Sequence, residues 1–163
     1  MGRLRDNGGV IPALRNLAVL ELVNIPLFAT VLFLLLGVPA SPANLVGFAL
    51  FALLLAEGGA YWWVKARQLR ARARRPAGMA LFRALGRANI ALFLAGGAVV
   101  AAALLADAPW TRVWPGLGLW LFALLEHVNY FHVQLSHQTR ADLARLVRTR
   151  RLHRSHLSHD MAR

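Results

Sequence analysis

Long apolar stretches separated by short polar segments dominate the pattern of this chain. Four stretches, at about residues 16–37, 45–64, 84–106 and 117–135, are mostly apolar, and each has the length of about 20 residues that an α-helix needs to cross a bilayer. The segment VPASPAN between the first two predicts a tight turn. The segment DAPWTRVWPG between the last two has the aromatic residues of a membrane interface. The pattern predicts an all-α, polytopic membrane protein, a bundle of four transmembrane helices.

The basic residues are distributed unevenly around these stretches. Of the 19 Lys and Arg residues, only Arg112 lies in the connection between the third and fourth stretches. The others lie near the N-terminus, in or beside the central loop 65–83, or after the fourth stretch. The positive-inside rule therefore places both termini and the central loop in the cytoplasm. The predicted organisation is one membrane domain, residues 1–138, followed by a basic cytoplasmic tail, residues 139–163. The Arg- and Ala-rich composition and the compact length favour a bacterial inner membrane.

The composition adds two constraints. A net charge of +12 by itself suggests a nucleic-acid partner, but hydrophobic residues make up 58% of the chain and the mean hydropathy is +0.48. The basic segments lack interleaved aromatic residues, so anionic lipid of the inner leaflet is the expected partner and nucleic acid is not. The absence of cysteine excludes disulfides and thiol chemistry.

The first apolar stretch also has an alternative interpretation. Its basic start, its apolar run and the segment Val38-Pro39-Ala40 resemble a signal peptide with a cleavage site. The length of this segment and the presence of Glu21 and Asn24 favour a retained transmembrane helix.

Three of the seven acidic residues, Glu21, Glu57 and Glu126, lie within the apolar stretches. A charged carboxylate near the bilayer centre costs about 2–3 kcal/mol or more, so such residues are candidates for function. With a rise of about 1.5 Å per residue, all three fall in the cytoplasmic half or near the midplane and could converge. Further candidates share their helical faces or depth: Asn24, Tyr61, Asn89, Asn129, Tyr130 and His132.

The favoured function is transport of an ion or small molecule through a cytoplasm-facing acidic site. Two alternatives stay open. The first is a membrane enzyme that acts on a lipid headgroup through carboxylate and His chemistry. The second is a non-catalytic subunit or scaffold that binds anionic lipid or partner proteins, as a homo-oligomer or with a membrane partner. No nucleophile or phosphate-loop motif occurs in the sequence, and the sequence names no cofactor. A less favoured metal site would use Glu57, Glu126 and His132, and the candidate lipid-headgroup ligands are Arg83, Arg87 and Arg140.

Small residues and the C-terminal tail complete the predictions. Gly58-Gly59 and Gly96-Gly97 would allow neighbouring helices to approach closely. The tail segment ADLARLVRT has the apolar face of an interfacial helix. The last residues, HRSHLSHDMAR, predict a frayed polar terminus, because chain ends seldom order unless they dock.

Overall fold

The computed structural model describes residues 7–132 and 155–162, and within these residues the secondary structure is helical, with no strand. The helices are α1 (Asn7–Ala29), which continues as a π-helix (Thr30–Leu35), α2 (Pro42–Arg70), α3 (Met79–Leu105), a short 3₁₀ helix (Trp110–Arg112), α4 (Trp114–Phe131) and α5 (His156–Ala162). The prediction of an all-α fold is confirmed for this part of the chain.

Three helical segments are long and apolar enough to cross a membrane: Gly9–Leu35, Pro42–Arg70 and Met79–Leu105. Helix α4 has 18 residues and carries Glu126, His127 and Asn129 near its C-terminal end, and it is not one of the three. The structure therefore shows three candidate membrane-spanning helices, and the fourth span stays a prediction.

Helix α2 forms the centre of the bundle and packs against α1, α3 and α4. In the most apolar part of α2, 56% of the residues are buried, compared with 6% in α1 and 22% in α3. The outward faces of α1 and α3 carry exposed apolar side chains such as Leu20 in α1 and Leu94 and Leu105 in α3. Exposed apolar surface of this extent marks contact with a membrane or with another protein.

Glycines determine how closely the helices approach. A Cβ atom on Gly47 of α2 would lie 2.2 Å from the carbonyl oxygen of Gly116 in α4, so the two backbones touch at this crossing. The close approach predicted at Gly58-Gly59 and Gly96-Gly97 is confirmed, because added Cβ atoms there would meet side chains or backbone of neighbouring helices. The sequence analysis did not single out Gly47 and Gly116.

Asn44 joins the loops at the end of the bundle where α2 and α4 begin. Its side chain is fully buried, and its Nδ2 donates to the carbonyl oxygens of Pro39 at 2.8 Å and Thr111 at 2.9 Å. Its Oδ1 accepts a hydrogen bond from the backbone N–H of Gly116 at 2.8 Å. Ser41 caps the N-terminus of α2 and donates to the carbonyl oxygen of Arg112. This polar group, the Asn44 junction, fixes both loops to the helix ends.

Helix α5 packs against the opposite end of the bundle. Ser155 caps its N-terminus and donates to the carbonyl oxygen of Tyr130, and Leu157 is 2% exposed in the apolar core. The prediction of a frayed terminus is therefore wrong for residues 155–162, because a buried leucine and a capping serine hold this helix on the bundle. The predicted interfacial helix at residues 141–149 lies outside the described residues.

Candidate functional site

A first polar group connects α1 with α4 and contains two of the three predicted glutamates. The hydroxyl of Tyr130 donates a hydrogen bond to Oε1 of Glu21. Glu126 lies one helical turn before Tyr130 on the same face of α4, where its carboxylate interacts electrostatically with Glu21. Asn129 donates from Nδ2 to Oε2 of Glu126 at 3.3 Å. This set of side chains is called the α1–α4 group below.

The central helix α2 completes the surroundings of Tyr130. The ring of Tyr130 lies against Gly58, where a Cβ atom would come within 2.6 Å of the ring and hydroxyl. Tyr130 is 8% exposed, whereas Glu21 and Glu126 are half-buried. A glycine on α2 thus makes room for the tyrosine that contacts the α1 glutamate.

A second polar group connects α2 with α3. Asn89 donates from Nδ2 to Oε2 of Glu57 at 2.8 Å, and the two residues are 1% and 6% exposed. Within residues 7–132 and 155–162, the remaining oxygens, Oε1 of Glu57 and Oδ1 of Asn89, have no hydrogen-bond partner. The ion pair that the structure shows within residues 7–132 and 155–162 is Lys65–Asp160, so Glu57 has no cationic partner there. A buried carboxylate without a cation is costly unless it carries a proton or binds a cation.

The structure therefore brings two of the predicted glutamates together and gives the third a different partner. Glu21 and Glu126 share the α1–α4 group, whereas Glu57 hydrogen-bonds across to α3. Within the part of the chain that is described, no three His, Asp or Glu side chains come together as metal ligands. The predicted metal set Glu57, Glu126 and His132 is thus not assembled, because Glu57 points to Asn89 and His132 is exposed at the end of α4.

Two other predicted residues lie apart from these groups. Tyr61 shares a helical face with Glu57, but its buried hydroxyl donates to Oδ2 of Asp160 in α5 at 2.9 Å. Asn24 is half-buried in α1, and the structure describes no hydrogen bond for its side chain. Asn89, Asn129 and Tyr130 thus hydrogen-bond to a glutamate, whereas Tyr61 hydrogen-bonds to Asp160.

The predicted headgroup ligands Arg83 and Arg87 lie on a small cavity of about 180 Å³ near the start of α3. His132 and Met161 also line this cavity, and Arg83 donates from Nη1 to the carbonyl oxygen of Met161 at 3.3 Å. Both arginines are exposed. Arg140 lies outside the described residues. Two of the three predicted cationic ligands are therefore neighbours in the structure.

Sequence reasoning missed two buried polar residues. His127 is 4% exposed, its ring stacks on Phe131 at 4.8 Å, and its Nδ1 has no hydrogen-bond partner among the described residues. Asp160 is 5% exposed, and it binds Lys65 at 2.5 Å as well as Tyr61. Tyr61 and Lys65 are four residues apart and therefore lie on one face of α2. This spacing, which the sequence shows, indicated that the two side chains could share a partner. The partner from the distant tail was not visible in the sequence.

Comparison with known proteins assigns no family to this bundle. The chain matches no family model, no curated protein and no solved structure. Helical bundles have many unrelated functions, so the function of this one is inferred from the geometry of its polar groups.

Proposed function

We propose that the chain is a four-span protein of a bacterial inner membrane that transports ions, and that the buried carboxylates carry protons. The observation that carries this proposal is Glu57, a carboxylate buried between α2 and α3 whose one hydrogen bond in the described part of the chain comes from Asn89. Structural polar residues in a membrane are normally satisfied by neighbouring groups. A carboxylate with an unpartnered oxygen and no cation within the described residues is suited to take up and release a proton.

The α1–α4 group supports the same proposal. Glu21 and Glu126 repel each other when both are charged, and binding of a proton or a cation relieves this repulsion. Tyr130 contacts Glu21 and offers a hydroxyl that can both donate and accept. The two acidic groups, on different helix pairs, give the bundle two separate positions at which a carboxylate can bind a proton or a cation.

The proposed topology places both termini and the central loop in the cytoplasm. Helix α4 is about 27 Å long at about 1.5 Å per residue, close to the hydrocarbon thickness of about 30 Å. The exposed arginines of the central loop lie at the end of the bundle where α2 finishes and α3 begins. On this topology the Asn44 junction faces the periplasm, and α5 covers the cytoplasmic end.

The topology can be tested directly because the chain has no cysteine of its own. The variants Ala40→Cys, Ala73→Cys and Ala106→Cys each place one thiol at an exposed loop position. A membrane-impermeant maleimide should label the first and third variants in intact spheroplasts, and the second only after permeabilisation. Labelling of Ala40→Cys and Ala106→Cys from opposite sides would contradict the first three spans. Labelling of His159→Cys, an exposed position of α5, in intact spheroplasts would contradict the fourth span.

Proton movement is measured in proteoliposomes that contain a pH-sensitive dye, under a potassium diffusion potential. We expect the wild-type protein to move protons, and Glu57→Gln and Glu126→Gln to reduce the rate at least about tenfold, because the amide cannot carry a proton. Asp107→Asn makes the same chemical change at an exposed turn outside both groups and should keep the wild-type rate. Full rates in both Gln variants would contradict the proposal.

A membrane enzyme that acts on a lipid headgroup is the second candidate. The observation in its favour is the cavity that Arg83, Arg87 and the exposed His132 line together, because arginines bind phosphate and an imidazole can act as acid or base. Incubation of the protein with phosphatidylglycerol vesicles, followed by mass spectrometry of the lipid, tests it. Headgroup turnover that His132→Gln abolishes would favour the enzyme over the transporter.

A further inference from the structure

A second basic groove lies between α1 and α2, away from both polar groups. Its cavity has a volume of about 290 Å³ and is lined by Arg15 from α1 and by Trp63, Ala66, Arg67 and Arg70 from α2. The three arginines are exposed, whereas Ala66 is buried and forms the floor. The groove thus combines cationic side chains from two helices with an aromatic wall.

The helical spacing of α2 explains why these side chains converge. Trp63, Arg67 and Arg70 are separated by four and three residues, so they follow one another along a single face of the helix. The guanidinium of Arg15 lies 5.3 Å from the centre of the Trp63 ring, within the range of a cation–π contact. This contact holds the α1 arginine at the edge of the groove and leaves its N–H groups available.

The charge of the groove is not compensated within the described residues. No acidic side chain lines the cavity, and the ion pair in the described part of the chain is between Lys65 and Asp160 on another face of α2. Three guanidinium groups around one cavity attract an anion, and the planar N–H fork of arginine suits a phosphate oxygen pair. The groove therefore has the charge and the donor groups of a phosphate site.

We propose that this groove binds the phosphodiester headgroup of an anionic membrane lipid. The position of the groove argues for a lipid rather than for a soluble phosphate. It opens beside the apolar part of α1, most of which is exposed, and Trp63 is 43% exposed where the apolar stretch of α2 gives way to arginines. Tryptophan prefers this interfacial level of a bilayer, so the acyl chains would lie along α1 while the phosphate meets the arginines. This proposal depends on the membrane placement proposed above, but not on proton transport.

Native mass spectrometry of the full chain in a neutral detergent tests the site. The protein is titrated with phosphatidylglycerol and, separately, with phosphatidylcholine, and the fraction with one bound lipid gives the dissociation constant. We expect phosphatidylglycerol to bind at least about tenfold more tightly. Each arginine that contacts the headgroup should contribute about a fivefold gain in affinity for anionic lipid, so Arg67→Ala together with Arg70→Ala should weaken binding about 30-fold.

A matched control separates a built site from general charge attraction. Arg74→Ala together with Arg75→Ala removes the same charge from the exposed central loop, outside the groove, and should change the dissociation constant less than about threefold. Equal weakening by the two double variants would overturn the proposal. Inorganic phosphate that displaces the lipid at similar concentrations would also overturn it, because the site would then take a soluble anion. The failure of this test leaves the proton-flux experiment unaffected, since that experiment changes Glu57 and Glu126.

Discussion

Two buried asparagine-containing groups show how differently polar residues can be used in one apolar bundle. At the Asn44 junction, one amide side chain makes three hydrogen bonds between 2.8 and 2.9 Å to three separate backbone positions. Glu57 and Asn89 share a single hydrogen bond, and an oxygen of each side chain has no partner in the described segments 7–132 and 155–162. Both groups are almost completely buried.

The difference indicates what each group does. A fully paired polar group lowers the free energy of the folded state and fixes geometry. A half-paired group in the same surroundings costs stability, and such a cost is commonly associated with function. The Asn44 junction is therefore structural, whereas the Glu57–Asn89 pair is a candidate for chemistry. The following variants test this contrast, from the largest expected loss of stability to the smallest.

The tight helix crossing beside the Asn44 junction should show the largest effect. In Gly116→Ala the new Cβ would lie 2.2 Å from the carbonyl oxygen of Ala43, so α2 and α4 must separate. We expect the free energy of unfolding in mixed micelles to fall by about 3 kcal/mol or more. Gly118→Ala on the same helix is the control, because nothing lies within 4 Å of its added Cβ. Equal stability of the two variants would contradict the contact between the backbones.

The Asn44 side chain should show the next largest effect. Asn44→Ala removes three hydrogen bonds and leaves the buried N–H of Gly116 without its acceptor, which should lower the free energy of unfolding by about 2 kcal/mol. Asn24→Ala, measured in the same way, provides the comparison, because Asn24 is half-buried and has no described hydrogen bond. We expect its free energy of unfolding to fall by less than about 0.5 kcal/mol. A loss below that level in Asn44→Ala would mean that the junction is not structural.

Asp160 is intermediate between the fully paired Asn44 and the half-paired Glu57. It is a buried carboxylate like Glu57, but it is paired with Lys65 and Tyr61. We expect Asp160→Asn to release α5 locally and to leave the bundle folded. Hydrogen exchange of residues 155–162 should then become about tenfold faster, because an ion pair of this kind contributes about 1–2 kcal/mol. Asp107→Asn serves as the control at an exposed turn. Unchanged exchange in Asp160→Asn would show that Leu157 and Ser155 hold the helix without it.

The smallest change in stability is expected at the residue proposed to be most important for function. Glu57→Gln keeps an oxygen that can accept from Asn89 and removes an ionisable group from the interior. The free energy of unfolding should therefore change by less than about 1 kcal/mol and should not fall, while proton movement is lost. A large loss of stability in Glu57→Gln would show that Glu57 has a structural role, as Asn44 does.

The C-terminal helix shows where sequence reasoning failed and why. Its residues HRSHLSHDMAR look polar and terminal, and the local pattern gives no reason for them to order. The structure orders residues 155–162 because Leu157 finds an apolar site, and because Asp160 meets Tyr61 and Lys65. These partners are about 95 residues away along the chain, so no local pattern could reveal them.

For the candidate site, the sequence indicated how deep each glutamate lies along its helix, but not which side chains it contacts. Depth along a helix follows from residue number and a fixed rise, so the sequence placed Glu21, Glu57 and Glu126 at comparable levels. The direction of each side chain depends on how the helices rotate and cross. Gly58 brings Tyr130 against α2, and Tyr130 then reaches Glu21, while Glu57 faces Asn89 instead.

The sequence by itself therefore determined the helical class, the apolar segments and the residues that are costly to bury, because hydrophobicity and length act locally. Tertiary structure alone decided which of these residues meet. Close contacts at glycines, and the docking of a distant tail, depend on pairs of positions far apart in the chain, and their packing selects one arrangement among many that the same pattern allows.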